Sequence, residues 1–432
     1  MKRLKPSIAQ LLDKYLYYFL LALVIVMPLH AFLAISLGQI TGQQAVLQAW
    51  KEVGLMVAAI VAWVIFFTNK EIKQRVAKQP AAWTAKIFIL VSLIVTALAQ
   101  SIDVFSVFLG IKTTLAFLVL FVVVQAAHFT QQRWNTLIKA LLVVSSAVGL
   151  FAVAQVYLLP ADWLARFGYS ATTVIPFHLV DPAVSSIRII ATFSGPNQLG
   201  SFMIIPMIMS AWLVMSKKWL AFIPLVLTTF SLFHSYSRSA WIGAVIALFI
   251  ISFIKLSGWW KLSLLAPIAG LIIAAQVLSG PIHSMSTNLT FYVYHGQFVD
   301  GRTNGSDSNR IANAKFGVTK IQAKPLGYGL GTAGPASRNT ARPVITENSY
   351  LQIGIETGLL GLALFVATVI LAGYALWVRR LVVNESVPLL AALIGLSATN
   401  MFLHTWADSA TALVLWGLIG YCLAAPAKKE RA

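Results

Sequence analysis

The stretch YLYYFLLALVIVMPLHAFLAISL, residues 15–37, is built almost entirely from apolar and aromatic side chains. A helix of about 20 such residues is long enough to cross the hydrocarbon of a bilayer. The rest of the chain has the same character, because 59% of its 432 residues are hydrophobic, 10% are charged and the mean hydropathy is +0.81. This composition indicates an integral membrane protein and excludes a soluble one.

Similar apolar stretches recur along the chain. Basic residues precede the first one, as in a signal peptide, but the run is too long and no Ala-x-Ala-like cleavage site is evident. We therefore expect a retained first span and an all-α, polytopic fold of about 12 transmembrane helices in a single membrane domain, residues 1–432. The predicted spans lie near residues 15–37, 53–69, 83–100, 104–127, 136–159, 190–215, 218–234, 239–257, 260–279, 350–378, 387–404 and 408–425.

The distribution of Lys and Arg predicts the orientation. Most of the 32 basic residues lie in connections on the side of the N-terminus, and that side is expected to be cytoplasmic. Both termini are then inside. The net charge of +19 is explained by this topology rather than by binding of nucleic acid. The one cysteine, Cys422, excludes an internal disulfide and a cysteine-based metal cluster.

A polar loop at residues 280–348, between spans nine and ten, is predicted to lie outside the membrane. It departs from the rule that basic residues concentrate on the cytoplasmic side, since it carries more bases than acids on the outer face. An anionic ligand would explain the excess, whereas solvated charge and lipid headgroups are the alternatives. The loop bases are Arg302, Arg310, Lys315, Lys320, Lys324, Arg338 and Arg342.

Two arginines outside this loop are also candidates for anion binding. Arg188 leads into Gly195-Pro196-Asn197 at the head of span six, where free backbone N–H groups of a helix start favour an anion. An ordinary helix start with a snorkelling arginine is equally compatible with that segment. Arg238 lies in SYSRSAW between spans seven and eight, where a guanidinium is costly unless it is paired or faces a polar cavity.

Residues 308–323, SNRIANAKFGVTKIQA, have the spacing of a short amphipathic helix. The glycine-rich PLGYGLG that follows, residues 325–331, lacks the Lys and Ser/Thr of a P-loop and predicts a flexible or close-approach turn instead. Nothing in these segments predicts a nucleotide site.

Carboxylates near the end of the loop are candidates for acid–base chemistry. Glu347 could accept a proton from a hydroxyl, although an acid at a helix N-terminus has the same pattern. Glu356, nine residues on, is interpreted as structural. The seven histidines have no metal-ligand spacing, so metal catalysis is improbable, and His283 and His295 stay secondary acid–base candidates.

Several of these motifs together resemble the O-antigen ligase and O-antigen polymerase superfamily of bacterial envelope enzymes. The resemblance rests on SGPNQLG (194–200), SRSAW (237–241), SNRIANAK (308–315) with PLGYGLG, and ENSYLQIGIETGLLGL (347–362). It implies a membrane glycosyltransferase fold of the GT-C type in the bacterial plasma membrane, with an extracytoplasmic active site and no cofactor or metal.

The resemblance also implies the reaction and its residues. A glycan on undecaprenyl diphosphate would be transferred with inversion to an acceptor hydroxyl on a lipid or glycan, within the membrane lipids. Arg188, Arg238 and Arg310 would bind the diphosphate and Glu347 would be the catalytic base. Further support is expected from Asn348, Asn197, Arg302, Arg338 and Arg342.

One departure from the ligases leaves the acceptor open. They have His before the Asn, where this chain has Glu347. The acceptor could be lipid A core, as in lipopolysaccharide, a second lipid-linked repeat, a protein hydroxyl or a cell-wall polymer. The alternatives to a ligase are therefore a polysaccharide polymerase, a transporter or flippase of an anionic lipid or solute, and a noncatalytic scaffold.

Overall fold

The computed structural model describes residues 6–99, 103–181, 184–257, 305–340 and 343–426. Helices form nearly all of this structure. The α-helices are α1 (Pro6–Val26), α2 (His30–Thr41), α3 (Gln44–Thr68), α4 (Lys70–Ala77), α5 (Pro80–Leu98), α6 (Val104–Gly110), α7 (Ala116–Val123), α8 (Gln131–Tyr157), α9 (Pro196–Met215), α10 (Phe222–His234), α11 (Arg238–Lys255), α12 (Gly305–Ala323), α13 (Ser349–Arg379), α14 (Ser386–Thr399) and α15 (Ser409–Leu423).

Shorter elements join these helices. A π-helical turn, Ile111–Leu115, lies between α6 and α7, and a hairpin of β1 (His178–Asp181) and β2 (Val184–Arg188) precedes α9. The 3-10 turns are Met27–Leu29, Val124–Ala126, Trp163–Phe167, Trp219–Ala221, Gly334–Asn339 and Thr405–Ala407.

Within the described residues, eight helical segments are long and apolar enough to cross a membrane, and three shorter apolar helices accompany them. The long segments are Ile8–Thr41, Gln44–Thr68, Pro80–Leu98, Val104–Ala126, Gln131–Tyr157, Pro196–Met215, Arg238–Lys255 and Ser349–Arg379. The chain is therefore a mostly helical, multi-pass membrane protein. Span nine, at 260–279, lies outside the described residues, so the number 12 and the GT-C type stay predictions.

The predicted boundaries need two corrections near the outer face. Span six, expected from residue 190, begins as a helix only at Pro196, because Gly195 is extended and proline is favoured in the first helical turn. The residues before it include the hairpin of β1 and β2, in which His178 is paired with Arg188. Span eleven, expected to reach residue 404, ends as a helix at Thr399. Residues 400–408 form a connection instead.

Helix α9 is the centre of the bundle. All its residues from Leu199 to Leu213 are buried, and α10, α11 and α14 pack around it. Helices α11 and α14 approach closely where Gly243 faces Gly395, since a Cβ on Gly243 would lie 2.6 Å from the Gly395 carbonyl oxygen. Small residues at a helix crossing permit such approach in membrane proteins.

Helix α13 is broken at Gly358, whose φ of 74° and ψ of −178° are non-helical. The glycine-rich turn takes over the hydrogen bonds that the break leaves open. Leu359 N donates to Pro325 O at 2.8 Å, and Tyr328 N and Gly329 N donate to the carbonyls of residues 355 and 356 at 2.8 and 2.9 Å. The turn is thus a close-approach element that binds a broken span.

The other side of this turn contacts the first half of the chain. A Cβ on Gly331 would lie 2.0 Å from Ser106 O, and one on Gly110 would lie 2.2 Å from Gly331 N. No side chain fits at either position, so PLGYGLG is fixed between α6 and α13. The amphipathic helix predicted at 308–323 is found as α12, which begins three residues earlier at Gly305.

Candidate active site

A cavity of about 460 Å³ lies where the end of the polar loop meets the helix ends on the face predicted to be outside. Its walls are formed by the first halves of α2 and α3, the π-turn, the start of α9, the segment around residues 335–347 and the connection 403–410. Its titratable and amide-bearing lining residues are His30, Gln44, Gln48, Lys51, Lys112, Asn197, Gln198, Arg338, Glu347, His404 and Asp408.

Glu347 lines this cavity and has a left-handed backbone, with φ of 50°. Residues other than glycine occupy this region rarely, and strained residues cluster at functional sites. The next residue, Asn348, caps α13: its Oδ1 accepts from Tyr350 N at 2.9 Å and Leu351 N at 3.0 Å. Its Nδ2 donates to Met401 O at 2.9 Å. Asn348 thereby positions Glu347 through the backbone.

The connection 400–408 closes the cavity beside Glu347. Ser349 N donates to Asn400 O at 2.9 Å, and Trp406 N donates to Asn400 Oδ1 at 2.9 Å. The hydroxyls of Ser201 and Thr405 lie 3.3 Å apart and join this connection to α9. The carboxylate is therefore carried on a hydrogen-bonded frame rather than on a loose loop.

Arg188 is held at the edge of the cavity. Its Nη2 donates to Asn197 Oδ1 at 2.9 Å, and Asn197 itself lines the cavity. Its Nε donates to Ser235 O at 3.0 Å, in the turn that leads from α10 into Arg238. The hairpin thus brings Arg188, the N-terminal turn of α9 and the start of α11 together. Such a helix start with nearby guanidinium groups favours an anion.

Arg338 extends into the cavity from the turn Gly334–Asn339. Its side chain is exposed, and it makes no hydrogen bond or ion pair with any residue that the structure describes. The turn is fixed, because Ser337 Oγ accepts from Val344 N at 3.0 Å and Gly334 N donates to Val344 O at 2.8 Å. Arg338 therefore offers an available cation in the same cavity as Glu347.

The other predicted residues are placed less directly. Arg238 is half-buried at the first residue of α11 and does not line the cavity. Arg310 lies in α12, and its side chain is outside the described part of the chain. Arg302, Arg342, His283 and His295 also lie outside the described residues.

A cluster of charged residues from α3 and the π-turn was not predicted as part of the site. Glu52 Oε1 lies 3.2 Å from Lys51 Nζ and 3.2 Å from Lys112 Nζ. Lys51 Nζ also lies 3.1 Å from His30 Nε2 and donates to Gln48 O at 2.7 Å. The charge of the two lysines, opposite to that of Glu52, was the signal available in the sequence.

Two further missed residues come from the connection 400–408: His404, predicted as the end of span eleven, and Asp408, predicted as the start of span twelve. Burial, together with the charge of Arg338, lowers the pKa of His404 to about 4. Burial raises the pKa of Asp408, whose carboxylate caps α15 by accepting from Thr411 N at 3.1 Å. His404 is therefore a neutral lining group near pH 7.

Glu356 is buried below the cavity and has a structural environment, as predicted. Thr114 donates its hydroxyl to Glu356 Oε2 at 2.7 Å, and Gly331 N donates to Oε1 at 3.0 Å. The partners are thus a hydroxyl of the π-turn and a backbone amide of the glycine-rich turn. Within the described residues, no group of three potential metal ligands is found.

Residues 223–366 match the family model described as O-antigen ligase. This match confirms the superfamily predicted from the motifs. The matched region begins in α10 and ends in α13, so it contains Arg238, Arg338, Glu347 and the glycine-rich turn but not Arg188 or the walls from α2 and α3. No curated protein matches the chain.

Proposed function

We propose that this membrane protein is an O-antigen ligase-like glycosyltransferase. It transfers a glycan from an undecaprenyl-diphosphate-linked donor to an acceptor hydroxyl at the outer face of the bacterial plasma membrane. The observation that carries this proposal is one cavity that contains the carboxylate of Glu347 and the guanidinium of Arg338, with Arg188 at its edge through Asn197. The O-antigen ligase match supports glycosyl transfer as the reaction class.

The diphosphate of the donor binds on the wall made by the start of α9 and the turn that carries Arg338. Guanidinium groups bind phosphate oxygens through two parallel hydrogen bonds, and the helix start adds backbone donors. Arg188 is pre-oriented by Asn197 and Ser235. Arg238 and Arg310 complete this anion site in the proposal. Their charge stabilises the diphosphate as it leaves with the bonding electron pair.

Glu347 is the general base. As the acceptor oxygen attacks the anomeric carbon, its proton passes to the Glu347 carboxylate, and the bond from that carbon to the diphosphate oxygen breaks. One displacement of this kind inverts the anomeric configuration and requires no metal ion. His404 lines the cavity in its neutral form near pH 7, so it adds no positive charge that would draw the diphosphate away from the arginines.

A polymerase would use the same chemistry with a second lipid-linked repeat as the acceptor. A transporter usually has matched broken helices whose free ends line a central path. This chain has a second break, at Gly358, in addition to the one at Gly195 and Pro196. The backbone groups that the break at Gly358 frees are hydrogen-bonded to the glycine-rich turn. They are therefore not free to line a substrate path. Transfer is therefore the favoured reaction class.

The test is transfer of purified lipid-linked glycan by the protein in lipid nanodiscs. We predict that Glu347→Gln lowers kcat by at least about a hundredfold, because a neutral amide cannot take the proton. Arg338→Gln is expected to raise KM for the donor by about tenfold or more, the effect of one charged hydrogen bond. Glu71→Gln, an exposed acid of α4, is the matched control and should retain full activity.

The result would count against the assignment if Glu347→Gln and Arg338→Gln both transferred glycan at the wild-type rate. Flux of lipid-linked glycan across proteoliposomes without formation of a new glycosidic bond would favour a flippase. Absence of both activities in the wild type would favour the scaffold.

A further inference from the structure

A second, smaller cavity of about 330 Å³ adjoins the candidate active site. It lies between the end of α2, the turn into α3 and the segment that follows the 3-10 turn Trp163–Phe167. Ile35, Gln44 and Thr173 line both cavities, so the two spaces adjoin at these residues.

The chemistry of the smaller cavity differs from that of the larger one. Its polar lining consists of Gln39, Gln44, Tyr169, Ser170 and Thr173, and no charged side chain lines it. Lysines, an arginine and carboxylates line the larger cavity only. Amides and hydroxyls both donate and accept hydrogen bonds, which suits the neutral hydroxyl groups of a sugar rather than a phosphate.

Tyr169 gives independent support for a ligand here. Its side chain is 2% exposed, and its hydroxyl has no hydrogen-bond partner among the described residues. Buried hydroxyl groups are nearly always paired, and an unpaired one is costly. Tyr169 lines the smaller cavity, and a rotation that turns its buried hydroxyl toward the cavity would let a bound ligand supply the missing partner.

The wall around Tyr169 is already formed. Thr173 donates its hydroxyl to Gly168 O at 2.7 Å and accepts from Ser170 N at 3.0 Å. Gly168 has φ of 88°, and a Cβ there would lie 2.8 Å from Gln39 Oε1. Glycine therefore lets Gln39 approach this wall.

We propose that the smaller cavity is a sugar-binding subsite, which holds a neutral sugar of a glycan whose reacting end lies in the larger cavity. This proposal rests on the proposed function and adds the kind of ligand that the smaller cavity binds. The subsite uses residues outside the 223–366 family match, so it sets glycan preference separately from the transfer chemistry. The sugar belongs either to the donor glycan or to the acceptor glycan.

The experiment measures transfer kinetics of Tyr169→Phe, Gln39→Ala and wild-type protein in nanodiscs. The probe in the first arm is lipid-linked glycan from the source cells, separated into pools of one and of about ten repeat units, with a fixed acceptor. The second arm fixes the short donor and uses lipopolysaccharide cores of full and truncated length as acceptors. Gln43→Ala, an exposed neighbour that lines neither cavity, is the control.

We expect each subsite variant to raise KM for the longer glycan about three- to tenfold, which is the effect of one hydrogen bond. KM for the shorter glycan should stay unchanged. If KM changes with donor length, the bound sugar belongs to the donor glycan. If KM changes with the length of the acceptor core, the sugar belongs to the acceptor. Tyr169→Phe should also unfold at the same temperature as the wild type or higher, because it removes an unpaired buried hydroxyl.

Equal effects on long and short glycans in both arms, or no effect in either, would overturn the subsite. If Tyr169→Phe unfolds early, Gln39→Ala alone decides, since its exposed side chain does not support the fold. A wild-type protein that transfers no pool at all would contradict the proposed function instead.

Discussion

Arg188 shows how a single residue joins three elements at the site. Its guanidinium donates to Ser235 O and Asn197 Oδ1 in two fixed directions while its backbone ends β2. A lysine would keep the charge but could not reproduce this fork. The geometry of Arg188, as well as its charge, is therefore expected to matter for the diphosphate.

We predict that Arg188→Lys lowers kcat/KM for the lipid-linked donor by about ten- to hundredfold, the effect of one or two charged hydrogen bonds. Asn197→Ala should lower it by a similar factor, and the double variant should be little worse than Arg188→Lys alone, because the two residues act as a unit. The measurement is steady-state transfer with a titrated donor.

The matched control is Arg166→Lys, an exposed arginine of the same outward connection that does not line the cavity. Fully additive losses in the double variant would show that Arg188 and Asn197 act independently.

At the scale of single residues, the sequence singled out charged and amide side chains on the predicted outer face of an otherwise apolar protein. Glu347, Arg338 and Asn197 line one cavity, and Arg188 contacts its edge through Asn197, whereas Arg238 does not line it. The roles of these residues stay predictions. Lys51 adjoins Glu52 in the sequence, but Lys112 approaches Glu52 only because α3 packs beside the π-turn. No local pattern reports such packing.

Among the elements, α13 combines a span with the start of the site. Gly358 has a backbone conformation that is essentially restricted to glycine. A Cβ there would also lie 2.4 Å from Pro325 O in the glycine-rich turn. The break and the turn therefore depend on each other.

We predict that Gly358→Ala destabilises the protein by about 2–4 kcal/mol through backbone strain and the clash with Pro325. Thermal unfolding in detergent, followed by tryptophan fluorescence, should show a clearly lower midpoint. Gly373→Ala in the same helix is the control, since its Cβ would meet only the flexible ends of Leu390 at 3.3 Å and Leu393 at 4.0 Å.

The control should unfold at the wild-type temperature or slightly above it, because alanine favours a helix interior over glycine. Equal midpoints for Gly358→Ala and the wild type would show that the turn tolerates a side chain.

Hydropathy predicted the existence of the long helices well, since lipid imposes a run of apolar residues on any span. It did not predict the break at Gly358 or the π-turn Ile111–Leu115, because hydropathy averaged over a whole span does not report a local change of backbone conformation. The hairpin of β1 and β2 was also missed. Its residues have no alternating pattern, and its end is held by contacts with distant residues, such as Arg188 Nε to Ser235 O at 3.0 Å.

For the whole molecule, the orientation in the membrane is the prediction that governs access to the site. Cys422 is buried, so introduced cysteines can be labelled selectively. Lys73→Cys in α4 and Lys315→Cys in α12 are exposed positions predicted to lie inside and outside. We expect an impermeant maleimide to label residue 315 in intact cells and residue 73 only after the membrane is opened.

The unmodified chain is the control and should stay unlabelled. Labelling of residue 73 in intact cells, with residue 315 protected, would invert the topology and place the cavity on the cytoplasmic side.

The frame around Glu347 also has a consequence for how the protein is made. It needs Asn400 and Trp406 of the connection before α15, which are synthesised after the walls from α2 and α3. Chains fold progressively from the N-terminus during translation. In the proposed mechanism, a chain that lacks this connection has no assembled base beside its anion site. We therefore expect the growing polypeptide to be inert toward lipid-linked glycan until residues 400–408 are in place.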